Sequence, residues 1–444
     1  MTEMKRRTFL GIAGGATATL STLGGTLGGT IAGTLGFPSL VLGAVRRVVV
    51  VGGGVGGCTA AKYLRKLDPS LNVTLIEPEA DYTSCFMSNE VLSGERTLQS
   101  LTFGYDGLRG YGVDVVQDWV VGIDPDTRQV TTKSGNRFDY DACVVSPGVG
   151  FKWGAIAGYN EEIANESIPH AWFAGPQTQL LRNQLTSMPE GGHVIIVAPP
   201  NPFKCPPGPY ERASQIAMYC QHHKPKAKIT ILDAKDAFSK QGLYIEGWTK
   251  LYGYGTDNSM IQWISAAAGG AVEELDPQTR TLIGLVEEFQ GDVVNIIPPQ
   301  KAGEIAFAAD LVDGDWCPVD KLTFESSRHP GIYVLGDASS ASKMPKSAYA
   351  ANSQAKVAAA AIIARFQDKE PGDPTFVNTC YSVVGEDFGI SVAAVYSLDS
   401  DTNTIEPIPG SGGVSPANAS PEIRKREVSY AHSWFKNVIN DMME

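Results

Sequence analysis

Cys205 lies in the run Pro199-Pro-Asn-Pro-Phe-Lys-Cys205-Pro-Pro-Gly-Pro209, directly after the apolar segment His193–Ala198. A dinucleotide fold would place a glycine loop around a pyrophosphate there, and this loop is unfit for the task. Proline has no N–H to offer a phosphate, and the bulky side chains keep the backbone from approaching one. A second apolar segment, Arg47–Val51, leads into Gly52-Gly-Gly54-Val-Gly-Gly57, which has both the donors and the space. The chain thus reads as one working nucleotide loop and one degenerate loop that offers a thiol. Pro209 suits the first helical position, so a helix begins near Gly208-Pro209. Its dipole is expected to lower the pKa of the neighbouring Cys205 thiol. Glu211, in the first turn of that helix, reads either as a proton acceptor with a raised pKa or as an ordinary helix-dipole acid.

The elements that must position these groups follow a nucleotide-binding pattern. Arg47–Val51 is a buried strand, Gly57–Leu67 continues as a helix, and Asn72–Glu77 is a second strand. Glu77 stands twenty residues beyond Gly57, where an acid bonds ribose hydroxyls. Cys85 follows eight residues later, in the loop leaving that strand. Two further segments complete the unit: Phe138–Gly148, closing on Ser-Pro-Gly148, and Gly331–Asp337, closing on Gly336-Asp337. A helix then opens at Lys346 or Ser347 and runs to about Phe366. Cys58 and Cys143 fall in the nucleotide-binding core. After Pro371 the composition changes. Asn378–Tyr396 reads as strands, Asp399–Pro421 as turns, and Val428–Met443 as a short amphipathic helix that carries Trp434.

Composition narrows the function classes. The chain has 444 residues and a formal net charge of −12, which argues against nucleic acid as a partner. Lys5-Arg6-Arg7-Thr8-Phe9-Leu10 precedes a Gly-, Ala- and Thr-rich stretch to about Ala44, the pattern of a twin-arginine export signal. That stretch is too weakly apolar for a stable membrane span, so the expected location is the periplasm with no anchor after processing. Residues 1–44 hold one acid and three bases, so the remainder stands near −14. None of the seven cysteines forms a C-x-x-C pair, so no metal site is expected, and C-x-x-C-H, the haem attachment motif, is absent.

These residues resemble the disulfide oxidoreductase type of flavoprotein, and within it the flavoprotein subunit family of flavocytochrome c sulfide dehydrogenase. The resemblance rests on the Gly52–Gly57 loop with Glu77, on Tyr82-Thr-Ser-Cys85, on Pro-Phe-Lys-Cys205-Pro-Pro-Gly-Pro-Tyr-Glu211, on Val334-Leu-Gly-Asp337 and on Asn378-Thr-Cys380-Tyr-Ser. It implies an α/β fold with two Rossmann-like, glutathione-reductase-like domains and a C-terminal α+β domain. The expected boundaries are 1–44 for the signal, 45–158 with 300–371 for the FAD-binding domain, 159–299 for the degenerate domain, and 372–444 for a domain that covers the flavin. It implies FAD held by Gly52, Gly54, Gly57, Glu77, Gly148, Gly336, Asp337, Lys346 and Trp434, and attached covalently to Cys85 through the flavin 8α-methyl. It implies a Cys205–Cys380 disulfide as the sulfide-oxidising centre, with Glu211 beside it. Read from the residues alone, pairing of Cys205 with Cys220 is disfavoured, because a helix of ~12 residues separates them by roughly 18 Å. The implied activity is oxidation of hydrosulfide to zero-valent sulfur or polysulfide, with a c-type cytochrome subunit as electron acceptor. Two alternatives remain: a sulfide:quinone oxidoreductase, and a non-catalytic flavin-binding partner in sulfur metabolism.

Overall fold

Two runs of β-branched residues set the architecture, because strands that are apolar on both faces must be covered on both faces. A computed structural model describes residues 45–444; the export signal read at residues 1–44 lies outside the described residues. Five parallel strands form the first sheet in the order Ile332–Val334, Ala142–Val145, Arg47–Val51, Asn72–Glu77 and Val113–Gln117. Strand order reverses between Arg47–Val51 and Ala142–Val145, and ligands of such sheets bind at the carboxyl ends of the strands at that reversal. The glycine loop starts there.

The helix after this loop spans Val55–Leu67 and packs against the alanine-rich helix Ala348–Phe366. It begins two residues earlier than the periodicity suggests. Its contact face is built from small side chains, which let the two helices approach closely. Gly52 has φ +98°, and a Cβ there would lie 2.4 Å from Ser146 O. A Cβ at Gly57 would lie 1.8 Å from Gly52 O, so only glycine lets the helix fold back onto its own loop. The alanine-rich helix is capped by Ser347, whose side chain accepts from Ala350 N at 3.1 Å.

The second sheet is also parallel, with strands Ile261–Ile264, Lys228–Asp233, His193–Ala198 and Val293–Ile296 in that order. Its reversal falls beside His193–Ala198, so the proline loop leaves the point equivalent to the glycine loop. The helix after it, Gly208–His223, opens with Pro209 in its first turn as expected. Beyond residue 371 a long antiparallel pair, Thr375–Gly385 with Phe388–Asp399, carries Cys380. The C-terminal helix spans Pro421–Met443, longer than the expected Val428–Met443. Pro421 reads as the end of a turn-rich stretch, but it occupies the first helical turn, where a missing N–H costs nothing. Among the described residues no helix is long and apolar enough to cross a membrane.

Candidate active site

The glycine-loop helix begins at Gly54 without a side-chain cap, so its first N–H groups are open to an anion. Glu77 turns back onto this loop. Its Oε2 accepts from Gly53 N at 2.6 Å and its Oε1 from Glu79 N at 3.1 Å. Burial raises its pKa, and the two N–H donors resist that rise. Gly148 (φ +63°) has open space where a side chain would stand. Gly336 (φ +71°) donates its N–H to Gln354 Oε1 at 2.9 Å, which aims the following residue. That residue, Asp337, has a buried Oδ1 with no partner among the described residues. Burial raises its pKa, against the pull of Lys204 and Lys346. The Lys346 ammonium donates to Asp337 O at 2.7 Å and Ser339 O at 3.0 Å and lies 3.7 Å from the centre of the Trp316 ring. Burial lowers its pKa to about 8.

The three cysteine segments of interest converge here. Cys85 Sγ accepts from Lys204 Nζ at 3.5 Å. The next residue, Phe86, packs edge-on against Trp434 at 5.5 Å between ring centroids, and Trp434 also meets Tyr349 and Tyr381. Trp434 Nε1 is buried without a partner among the described residues. Cys205 holds a left-handed backbone, φ +56°. Its N–H donates to Lys346 O and its carbonyl accepts from Gly208 N, both at 2.8 Å. Cys380 lies on the strand Thr375–Gly385 next to Tyr381 and, like Cys205 and Cys85, is a free thiol in this structure.

One expectation about Cys205 is overturned. The helix dipole was expected to lower its pKa, yet the thiol is pushed well above its ordinary value. Burial is the largest cause, followed by the nearby Cys380 and Glu211, while Lys204 and Lys240 pull the other way. Desolvation of a charged form outweighs the modest field of a helix end. Burial also raises Cys380, with Lys240 lowering and Glu211 raising it.

Glu211 joins the segments. Its Oε1 accepts from Val383 N at 2.9 Å, three residues beyond Cys380, and its Oε2 from Asn89 Nδ2 at 3.1 Å, four residues beyond Cys85. Burial raises its pKa while these two donors and Lys240 lower it. Three residues that the sequence reading passes over also belong to the site. Arg212, 2% exposed, donates to Asn89 Oδ1 (3.1 Å), His170 O (2.7 Å), Asn295 Oδ1 (3.0 Å) and Ala171 O (2.6 Å). Lys204 touches Cys85, and Lys240 donates to Ser382 Oγ at 2.8 Å. Arg212 and Lys204 flank Glu211 and Cys205 in sequence, which is a usable signal. Nothing in the spacing marks Lys240.

Replacing Glu211 by Gln sets an amide NH2 against either Val383 N–H or Asn89 NH2 and leaves one buried donor unpaired. Glu211→Gln is expected to cost about 1–3 kcal/mol of stability, read as a lowered denaturation midpoint. An unchanged midpoint would mean that the carboxylate does not hold these segments.

Comparison with known proteins places the chain among flavoproteins. Residues 46–173 match the family model for pyridine nucleotide-disulphide oxidoreductase. Residues 178–298 match that for the sulfide dehydrogenase [flavocytochrome c] flavoprotein chain, central, and residues 372–443 match flavocytochrome c sulphide dehydrogenase, flavin-binding. The sulfide dehydrogenase [flavocytochrome c] flavoprotein chain of Chlorobaculum thiosulfatiphilum is 63% identical over 46 residues, 10% of this chain and 96% of the other sequence. A mitochondrial sulfide:quinone oxidoreductase of Mus musculus is 22% identical over 298 residues; the match spans 65% of each chain, slightly under two thirds of the mouse protein. The solved sulfide:quinone oxidoreductase from Aquifex aeolicus superposes with a TM-score of 0.66 at 21% identity, covering 89% of this chain and 92% of that one. The fold is that of the FAD-dependent pyridine nucleotide-disulfide oxidoreductases, with two Rossmann-like sheets and a C-terminal α+β region. With three matched segments that together take in the second parallel sheet, four of the five strands of the first and the Cys380 strand, the chain belongs to the flavocytochrome c sulfide dehydrogenase flavoprotein family.

Proposed function

We propose that this chain is a periplasmic sulfide dehydrogenase flavoprotein, with FAD attached to Cys85 and a redox-active Cys205–Cys380 pair that takes electrons from hydrosulfide. The observation that carries the reading is the meeting of the three cysteine segments around Glu211. FAD fits the residues present. The open helix start at Gly54, the packed glycines Gly52 and Gly57, and Glu77 suit its pyrophosphate and ribose. The unpartnered Asp337 Oδ1 suits a ribityl hydroxyl, and the unpartnered Trp434 Nε1 suits a polar edge of the ring. Gly148 and Gly336 leave room beside it, and Lys346 supplies a nearby positive charge. When bound, FAD supplies an electron-pair acceptor that can release its electrons one at a time.

The protein's own part is thiol chemistry. A hydrosulfide sulfur attacks one sulfur of the Cys205–Cys380 disulfide, giving a persulfide on one cysteine and a thiolate on the other. Glu211, with its raised pKa, accepts a proton from the substrate or the persulfide. Sulfur departs as zero-valent sulfur or polysulfide. The proline loop offers no nicotinamide cradle, and the haem motif is absent from the sequence, so a c-type cytochrome subunit is the proposed acceptor. Export by the twin-arginine route would bring the folded flavoprotein to that partner. The names of the mouse and Aquifex relatives favour a second reading, with a quinone as acceptor.

Acid precipitation should leave yellow, fluorescent flavin in the protein pellet, and Cys85→Ser should move it to the supernatant; a colourless wild-type pellet would refute the covalent link. Peptide mapping of the oxidised protein should find Cys205 joined to Cys380. Changing either to Ser should abolish sulfide-driven bleaching of the flavin while FAD stays bound, and a near-wild-type rate would reduce the pair to a structural role. Sulfide should reduce the isolated flavoprotein with slow turnover, and adding a c-type cytochrome partner should restore fast haem reduction. Full-speed reduction of ubiquinone analogues by the lone chain would favour the quinone reading instead.

A further inference from the structure

Lys240 is 9% exposed, holds a left-handed backbone at φ +60°, and stands immediately before the helix Gln241–Tyr252. Among the described residues its ammonium makes one hydrogen bond, to Ser382 Oγ at 2.8 Å, although it has three N–H groups to place. The Tyr244 ring lies 5.9 Å away. Among the described residues, half-buried Lys235 is paired with Asp233 and half-buried Lys346 is held by two carbonyls, whereas buried Lys62, like Lys240, makes one hydrogen bond, to Asn440 O at 3.0 Å. A buried ammonium without a bound carboxylate is costly, because desolvation is not repaid by a fixed counter-charge.

The position of Lys240 explains the imbalance. Ser382 and Cys380 are two residues apart on the strand Thr375–Gly385, so their side chains share one face. The groups around that face are Cys380, Cys205, Glu211 and Tyr244, and burial penalises a negative charge on each. Lys204 and Lys240 both counter this at Cys205, and Lys240 is the cation that also counters it at Cys380 and at Glu211.

We propose that Lys240 is a charge-holding residue of the sulfur site, binding the substrate as the hydrosulfide anion and then stabilising the thiolate produced from it. The inference rests on the sulfide reading above. In the step concerned, hydrosulfide sulfur bonds to one cysteine sulfur and the Cys205–Cys380 bond breaks. The released sulfur keeps the electron pair as a thiolate. The sulfide sulfur is oxidised, the disulfide is reduced, and the single negative charge that enters stays in the pocket beside Lys240. The site therefore selects an anionic sulfur nucleophile over a neutral thiol.

The test uses holoenzyme carrying Lys240→Met, Lys240→Gln or Lys240→Arg, each with flavin content confirmed. After reduction with dithiothreitol, alkylation of Cys380 by iodoacetamide at pH 7.5 is followed by peptide mass mapping. Loss of the charge should slow it about tenfold, equivalent to about one unit of thiol pKa, and Lys240→Arg should restore most of the rate. In stopped-flow, the sulfide concentration for half-maximal flavin bleaching should rise about tenfold in Lys240→Met, with the maximal rate changed far less, as expected for loss of uniform binding. If Lys240→Met does not fold, Lys240→Gln against Lys240→Arg gives the same comparison. Alkylation rates equal to wild type in the charge-free variant would overturn the proposal. A wild type that sulfide does not bleach would sink the sulfide reading instead, and the alkylation measurement would still decide the role of Lys240.

Discussion

The active-site region depends on one half-buried carboxylate. Glu211 accepts one hydrogen bond from the strand that bears Cys380 and one from the segment that bears Cys85, and it stands six residues beyond Cys205. Three stretches far apart in sequence are thereby tied at one point. The arrangement is under electrostatic tension, since burial favours the neutral acid and the two donors favour the anion. A carboxyl group balanced in this way is well suited to exchange a proton with a sulfur nearby.

Arg212 extends the junction. Its guanidinium fills four acceptors, one on Asn89 of the Cys85 segment and three on two further segments, His170–Ala171 and Asn295, so the helix Gly208–His223 cannot shift without breaking them together. Removing one of these neutral acceptors leaves a buried guanidinium N–H unpaired, which costs more than losing a solvent-exposed hydrogen bond. The proline loop is fixed at its other end as well, because Cys205 N–H bonds to Lys346 O beside the alanine-rich helix. The loop that would have held a second nucleotide has become a rigid bracket between the two parallel-sheet units.

Charge in the site is unevenly satisfied, and the imbalance is informative. Among the described residues, Asp337 Oδ1 and Trp434 Nε1 are buried with nothing to bond, and Lys240 makes a single bond. Native interiors rarely leave polar atoms in this condition away from functional sites. The first two atoms belong to the region proposed to hold FAD, and the third to the proposed Cys205–Cys380 site.

Much of this protein was legible from the sequence because the relevant signals are local. The strands Arg47–Val51, Asn72–Glu77 and His193–Ala198, the glycine loop, the proline loop and the Ser347 cap follow from steric and hydrogen-bonding rules that act within a few residues. The start of the C-terminal helix was missed because proline serves equally in turns and in first helical turns, and only packing distinguishes them. The ionisation of Cys205 was misread for a related reason: the helix end is visible in sequence, but the burial that outweighs it is not. Arg212 and Lys240 took on their roles only in three dimensions, since a hydrogen bond to Asn295 or Ser382 spans 83 or 142 residues of chain. Residue types and short spacings decide which chemistry the chain can offer; desolvation and long-range contacts decide which of those groups meet and in which charge state.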